Sequence, residues 1–351
     1  MRNARQICLW HPTGPAVSIG ALLVLTTAAV PGCGDDETTP AQTTTTTTTT
    51  TGEGGSGGSG GSSQGVALTA CQSDGARFSS PFDATPDPDG TTVYFTAISA
   101  LGEAAVFKAP CGGAIATLAE GDPLVAPFNI ATSTDGNEIY VADPAAEDDN
   151  DLKGAIFRIP SDGGTPVAIP GTVGTMPRGL EVRAEGGADE IWFTGVDPAD
   201  GLPGVFKIAT AAGALEVVAK GAPFRDPSGI ALTADGTAYV TDTDAAGNRM
   251  STFFEVKAGV PLELISGLEV GYPAGVAVTT DGQTLYVSGI DAVTQTDAVF
   301  VVNIASQGVM SFTMGLESFT EAAGLHRAKN ADVFAWSDAS AQGSGTVYIL
   351  Q

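Results

Sequence analysis

Two polar side chains, Glu181 and His326, occupy a position of a sequence repeat that other copies fill mainly with small residues. A carboxylate and an imidazole are suited to proton transfer and to binding a polar small molecule. Arg178 and Ser228 lie near the same position in their own copies. We therefore predict that these side chains line a polar tunnel, at the centre of the arrangement that the repeats form, and that this tunnel binds a small ligand. The structural alternative is a Glu181–arginine pair and a hydrogen-bonded His326.

Acidic residues accumulate in the loops between the second and third strand-like runs of each copy. The candidate metal ligands among them are Asp143, Asp148, Asp149, Asp151 and Asp242. Hard cations prefer carboxylate oxygens, so we predict weak Ca²⁺ binding there. The run from Asp148 to Asp151 lacks the spaced order of a dedicated calcium loop, which leaves a solvated acidic loop as the alternative.

Composition narrows the classes of partner and reaction. The net charge is −25, from 40 acidic and 15 basic residues, which argues against nucleic acid and against anionic lipid headgroups as binding partners. After the predicted signal peptide the chain has a single histidine, His326, so a multi-histidine metal site is not available. No Gly-x-Ser-x-Gly elbow falls on a strand-to-helix turn.

The candidate residues lie on a pattern that recurs six times, beginning at Pro81, Pro127, Pro177, Pro227, Pro273 and Ala322 with spacings of 46, 50, 50, 46 and 49 residues. Copies contain up to four short strand-like runs, and Asp-Gly turns such as Asp235-Gly236 predict hairpins. A period of about 40–50 residues is typical of propeller blades. We predict an all-β, six-bladed β-propeller of four-stranded blades, with Glu181 and His326 on opposite blades and out of contact.

The last copy ends with three strand-like runs, so one outer strand is missing from it. Gly75 lies six residues before Pro81, as Gly121 lies six residues before Pro127. We therefore predict that residues 66–74 form the outer strand of the last blade and close the ring.

The first 65 residues predict a targeting signal followed by a flexible tether. Arg2 and Arg5 precede an apolar run that is short for a membrane span and typical of a signal peptide. The residues before Cys33 resemble a bacterial lipobox, so we predict a signal peptide at 1–32 and a lipidated Cys33; an ordinary cleaved signal is the alternative. Residues 33–65 include nine consecutive Thr and a Gly/Ser tract, which predict a disordered tether ahead of the propeller at 66–351. This layout predicts a lipoprotein of the cell envelope.

Cys71 and Cys111 are the cysteines that would remain beside a lipidated Cys33. An even number in an oxidising compartment is compatible with a disulfide. Sequence spacing does not establish that their Cβ atoms approach, so the bridged and free states both stay open.

The stretch from Pro227 to Asp242, with Asn248-Arg249, resembles the NHL repeat, and the chain from about residue 66 resembles the six-bladed group of NHL and SMP-30/gluconolactonase-like proteins. That resemblance implies a divalent cation held at the tunnel by Glu, Asn and Asp side chains. These ligands come just before the anchor glycine, which is the glycine two residues after the first residue of several copies. The corresponding residues here are Phe82, Phe128, Arg178, Ser228, Ala274 and Ala323. None of them is a carboxylate or an amide. Asp83 and Asn129 lie one residue further on, and we expect them to face the other way.

We therefore expect a lipid-anchored propeller that binds a protein, a glycan or a small molecule on its loop face, with the membrane contacted through the lipid alone. The alternative is a divalent-cation-dependent lactonase-like hydrolase or lyase that uses the central tunnel. The two differ in whether the tunnel holds a convergent cation or acid–base set.

Overall fold

The computed structural model describes residues 68–73, 75–147, 153–210, 213–246, 250–312 and 322–351. Nearly all regular structure in these residues is β-strand, with short 3₁₀ turns at Pro170–Thr172 and Ala341–Gly343. The all-β prediction is confirmed. Among the described residues, no helix has the length and apolar character needed to cross a membrane.

Four of the sequence repeats form separate four-stranded antiparallel sheets. Repeat one consists of β2 (Phe78–Pro86), β3 (Thr92–Ser99), β4 (Ala104–Pro110) and β5 (Ala116–Glu120). Repeat two consists of β6 (Asn129–Thr132), β7 (Glu138–Glu147), β8 (Lys153–Pro160) and β9 (Val167–Ala168). Repeat three consists of β10 (Leu180–Glu185), β11 (Ala188–Val196), β12 (Pro203–Ala209) and β13 (Glu216–Lys220). The last repeat supplies β22 (Ala322–Arg327), β23 (Phe334–Asp338) and β24 (Thr346–Leu350), and β1 (Leu68–Gln72) completes its sheet.

Repeats four and five share one eight-stranded sheet, so the described strands do not form six separate sheets. Repeat four consists of β14 (Pro227–Leu232), β15 (Ala238–Asp242), β16 (Ser251–Lys257) and β17 (Val260–Val270). Repeat five consists of β18 (Val276–Val278), β19 (Thr284–Asp291), β20 (Thr296–Asn303) and β21 (Gly308–Phe312). The two join because β17 is eleven residues long and its end, Glu269 and Val270, pairs with Ile290 and Gly289 beyond the short inner strand β18.

The first strand of each repeat lies against the first strand of the next. These inner strands contact one another in the order β2, β6, β10, β14, β18 and β22, and β22 in turn contacts β2. Between neighbouring repeats the described residues form six clusters of buried apolar side chains, of which the cluster joining the first and last repeats contains Phe78, Phe107 and Ile349. The apolar face of each small sheet is thus buried against the next sheet, as a propeller-like arrangement requires.

The Asp-Gly pairs form the predicted hairpin turns. Gly136 and Gly236 have φ of 74° and 82°, a conformation that glycine adopts without strain. Asp135 accepts the backbone N–H of Asn137 at 3.0 Å, and Asp235 accepts that of Thr237 at 3.1 Å. These two acidic side chains therefore stabilise local turn geometry.

Strand β1 is joined to both the last and the first repeat. It pairs antiparallel with β24, where Thr69 lies opposite Ile349. On its other side, the Gln72 side chain donates to the Pro110 carbonyl at 2.7 Å, and the Gly112 N–H donates to the Cys71 carbonyl at 2.9 Å. Cys71 and Cys111 form a disulfide with Cα atoms 4.4 Å apart.

Candidate functional site

Four charged side chains meet at the centre of the ring of inner strands. They are Asp83 on β2, Glu181 on β10, His326 on β22, and Lys329 just after β22, and we refer to them as the tunnel network. His326 Nε2 lies 2.9 Å from Asp83 Oδ2, and His326 Nδ1 lies 3.8 Å from Glu181 Oε2. Lys329 Nζ donates to Glu181 Oε1. The expectation that Glu181 and His326 are too far apart to touch is wrong: repeats three and six meet at the axis, and His326 also contacts repeat one.

Asp83 faces the axis although a one-residue offset predicted the opposite facing. The pairing of β2 with β3 shifts register between Ser79 and Asp83, and the pairing of β22 with β23 shifts between Ala322 and Leu325. Such irregularities turn side chains toward a different face. Gly324 completes the geometry, because a Cβ there would lie 1.7 Å from Asp83 Oδ1.

Backbone donors hold the Asp83 carboxylate in place. Its Oδ1 accepts the N–H of Ala84 at 2.8 Å, and its Oδ2 accepts the N–H of Ile130, in the next repeat, at 2.8 Å. Asn129 repeats this arrangement, since its Oδ1 accepts the N–H of Leu180 at 2.8 Å. Both side chains stand where later repeats have the anchor glycine, and this departure from glycine is the signal in the sequence that could have identified them.

In the tunnel network, burial and the attraction between opposite charges shift the pKa values in opposite directions. Burial disfavours the charged form of His326, yet the two carboxylates outweigh it and raise the pKa of His326 to about 9. Burial likewise acts against Glu181 ionisation, but Lys329 and His326 lower the pKa of Glu181 to about 2. Burial raises the pKa of Asp83 despite the opposing effect of His326. With every member ionised, two carboxylates face two cations and the network is neutral.

Two of the predicted tunnel residues lie outside this network. Ser228 is fully buried, and its Oγ accepts the N–H of Ala274 at 3.4 Å, so it links neighbouring repeats. Arg178 forms an ion pair with Asp226. The expected pairing of Glu181 with an arginine is also wrong, because Lys329, which the sequence reasoning missed, fills that role.

Arg178 belongs to an aromatic cluster where the inner strands begin. Its guanidinium carbon lies 5.8 Å from the centre of the Tyr272 ring. Tyr272 packs edge-on against Phe128 at 5.3 Å between ring centres, and Phe128 lies 6.0 Å from Phe82. These side chains come from four repeats or the loops before them. They form an apolar and cationic cluster near the axis of the ring.

The loops between second and third strands emerge on this same side, which we call the mouth face. Asp143, within β7, accepts the N–H of Val125 at 2.7 Å, in the segment that leads into β6. Asp242, at the end of β15, accepts the N–H of Arg225 just before β14 at 2.8 Å. Five large apolar side chains are exposed on this face: Leu101, Leu202 and Val293 on these loops, and Val125 and Tyr272 on the segments that lead into the inner strands.

The carboxylates of Asp143 and Asp242 are engaged by the protein itself. Asp143 accepts further N–H groups from Ala126, Ala145 and Ala146, and burial raises its pKa. Asp148, Asp149 and Asp151 lie outside the described residues, and Ca²⁺ binding there stays a prediction. Within the described part of the chain, no group of three or more His, Cys, Asp or Glu residues is arranged to hold a metal ion.

No protein-family model matches the chain, and no curated protein matches its sequence. Its structure is similar to a gluconolactonase, XC5397, from Xanthomonas campestris, at 17% identity over 82% of this chain and 90% of that chain, with a TM-score of 0.57. A chain of a nidogen/laminin complex matches at 20% identity over 71% and 84% of the two chains, with a TM-score of 0.55. AofleA from Arthrobotrys oligospora matches at 10% identity over 82% and 86%, with a TM-score of 0.53. At these identities the likeness concerns the fold alone, and the chain folds as a β-propeller.

Proposed function

We propose that this protein is a cell-envelope lipoprotein whose propeller is a binding scaffold, and that the mouth face binds a protein partner. One observation carries the proposal: Leu101, Val125, Leu202, Tyr272 and Val293 are exposed together on one face, with Val293 92% and Leu101 78% accessible. Large apolar side chains that are exposed on the same face of a protein favour an interaction surface there.

The scaffold in this proposal is a six-bladed ring closed by β1. Support comes from the cyclic contacts of the six inner strands and from the pairing of β1 with β24. The eight-stranded sheet then counts as two blades joined through the long strand β17.

The tunnel network has a structural role in this proposal. Its charged groups bind one another across the axis, and His326 and Glu181 are at most 9% exposed. The lactonase-like alternative would need these side chains to engage a substrate or a cation instead of each other. The mouth face, by contrast, presents large apolar side chains that are exposed among the described residues.

The chemistry of the mouth face favours a partner with apolar and basic side chains. Tyrosine and arginine are enriched among the residues that contribute most to protein interfaces, and Tyr272 and Arg178 lie at the centre of this face. Exposed acids, Glu103, Asp122 and Asp200, lie on its loops. The chain as a whole carries a net charge of −25. One of the similar structures was solved as a protein complex, that of nidogen and laminin.

A photo-crosslinking amino acid placed at Val293 or Leu101 tests the docking surface in cells of the source bacterium. We expect a discrete cross-linked species at both positions, and none at Leu262, an outer-strand residue of comparable exposure (59%). Raising the ionic strength of a spheroplast preparation from about 0.05 to about 0.5 M is expected to lower the yield of the cross-linked species, because salt screens exposed charges.

Tyr272→Ala should reduce the yield of this species at least about tenfold, as loss of a central interface aromatic does. Equal cross-linking at Leu262, no species at either mouth position, or a yield insensitive to both salt and Tyr272→Ala would contradict the proposal.

The anchor has its own test. Cys33→Ser is expected to move the full-length protein from the membrane fraction to the soluble fraction of a bacterial host that processes lipoproteins. Cys8→Ser is the matched control, because Cys8 lies in the predicted signal peptide and its loss should leave fractionation unchanged. Retention of the Cys33→Ser protein in membranes would contradict lipidation at this residue.

A further inference from the structure

The outer strand of repeat five, β21, has an exposed edge. It pairs with β20 along its whole length, from Gly308 to Phe312, and no other described strand pairs with its second edge. Its side chains are exposed as well, with Val309 42% and Met310 69% accessible. An edge of this kind presents backbone N–H and C=O groups to which a further strand can be added.

The other outer strands carry features that discourage strand addition. Strand β9 has only two residues, and the Cys71 carbonyl of β1 already accepts the N–H of Gly112 at 2.9 Å. Strands β5, β13 and β17 contain charged residues or proline: Glu120, Glu216, Lys220, Pro261 and Glu263. Strand β21 has neither a charged residue nor a proline. The protection found elsewhere on the rim of the ring is therefore missing at β21.

The charge pattern of the sequence indicates what such an edge would meet. Residues 298–316, which include β20 and β21, form the longest stretch without a charged residue between positions 66 and 351. The chain as a whole carries a net charge of −25, so two copies repel each other over most of their surfaces. They oppose each other least where both surfaces are uncharged. The edge of β21 is thus suited to a second copy of the same strand.

One acidic side chain does reach β21, through a hydrogen bond from the Ser311 side chain to the Asp291 carboxylate. Asp291 also accepts the N–H of Val293 at 2.9 Å and that of Thr294 at 3.0 Å. Its charge is therefore engaged by donors of its own repeat and leaves the centre of the strand, at Met310, apolar.

We propose that β21 pairs antiparallel with β21 of a second copy of this chain, about a two-fold axis at Met310. A two-fold axis relates two copies of one strand in opposite directions, which is an antiparallel pair. With the axis at the central residue, all five residues of the strand pair. Met310 then lies opposite Met310 of the second copy, and Val309 lies opposite Ser311. This interface is separate from the mouth face, because β21 is an outer strand.

The contact is one strand per copy, and interfaces this small are weak. We expect mainly monomers at about 1 μM and mainly dimers at about 100 μM. Copies anchored in one membrane would meet at a raised effective concentration, a step that rests on the proposed lipid anchor. Because the pair uses the β21 edge of both copies, association stops at two chains.

Sedimentation velocity of the full-length protein at about 1 and 100 μM, with detergent micelles in excess, tests the pairing. Met310→Lys should weaken association at least about tenfold, because like charges directly opposite each other destabilise a strand pair. Leu262→Lys is the matched control, since Leu262 is 59% exposed on the outer strand β17 and receives the same charge. It should associate as the wild type does. Melting curves check that both variants fold.

Cysteine cross-linking in membranes tests the position of the axis. Residues directly opposite in an antiparallel pair have Cα atoms about 4.5–5.5 Å apart, within reach of a disulfide. The native Cys71 and Cys111 are already bridged to each other. Mild oxidation is expected to convert Met310→Cys protein to a covalent dimer and to leave Leu262→Cys protein monomeric.

Four results would overturn the proposal. They are a wild-type protein that stays monomeric at about 100 μM, equal association of Met310→Lys and Leu262→Lys, growth beyond two chains, and equal covalent dimer formation by Met310→Cys and Leu262→Cys. None of these results bears on protein docking at the mouth face, which is tested by cross-linking at Val293 and Leu101.

Discussion

The variant His326→Gln is expected to lower the free energy of unfolding by about 3–5 kcal/mol at neutral pH, the cost typical of breaking a buried charge pair by removing one partner. Glutamine retains hydrogen-bonding capacity but carries no charge. The substitution would therefore leave Asp83, which is fully buried, without its cation and Glu181 with Lys329 alone. Chemical denaturation followed by tryptophan fluorescence measures the change.

Lys153→Gln serves as the control for this experiment. Lys153 and Glu147 form an exposed pair at 3.2 Å, and loss of such a pair is expected to cost less than about 1 kcal/mol. Similar stabilities of the His326→Gln and Lys153→Gln proteins would contradict a stabilising role for the tunnel network.

The pH dependence of stability follows from the same contacts. The pKa of His326 is raised from 6.5 to about 9 in the folded protein, because Asp83 and Glu181 outweigh the effect of burial. A group with a raised folded pKa contributes stability fully below its unfolded pKa and loses that contribution as pH rises through its folded pKa. Between pH 6.5 and about 9, wild-type stability should therefore fall, and this fall should be absent in His326→Gln. An identical pH profile in both proteins would show that another group is responsible.

Removal of β1 is expected to have the second large effect. Deletion of residues 34–64 should leave the melting temperature almost unchanged, because the composition of that segment cannot form a packed core. Deletion of residues 34–75 should unfold the protein or drive it to oligomerise. The longer deletion exposes the edge of β24 and removes Cys71, whose disulfide spans 40 residues.

Melting curves and light scattering after size-exclusion chromatography separate the outcomes. The shorter deletion is the matched control, since it shares the new chain junction at residue 33 and retains β1. If both deletions melt alike and remain monomeric, β1 does not hold the last and first repeats together.

Much of the fold could be predicted from local sequence. Short runs such as Tyr239-Val-Thr, bounded by Asp235-Gly236, specify a hairpin because strand alternation and turn conformation depend on neighbouring residues. The joining of repeats four and five into one sheet could not be predicted, since it depends on how far β17 extends beside β19.

The candidate site was predictable to a lesser degree. Glu181 and His326 were identified as polar residues in a small-residue position, whereas Asp83, Lys329 and Tyr272 were missed. Predicting which side of a strand a residue faces assumes an unbroken register between paired strands. The register shift before Asp83 breaks that assumption. Lys329 and Tyr272 lie outside the strands, where the repeat pattern predicts no orientation.

By itself, the sequence determined that this protein is built from short β-strands in six repeats, because apolar alternation, Asp-Gly turns and a period of about 40–50 residues act over short range. The tertiary structure decided which charges meet. Asp83 and His326 are 243 residues apart in the chain, and they touch because the inner strands of the first and last repeats lie side by side. It also decided that Lys207 pairs with Glu190 of its own repeat, whereas Lys108 at the same repeat position reaches the Ser161 carbonyl of the next repeat, since a repeat position does not encode these contacts.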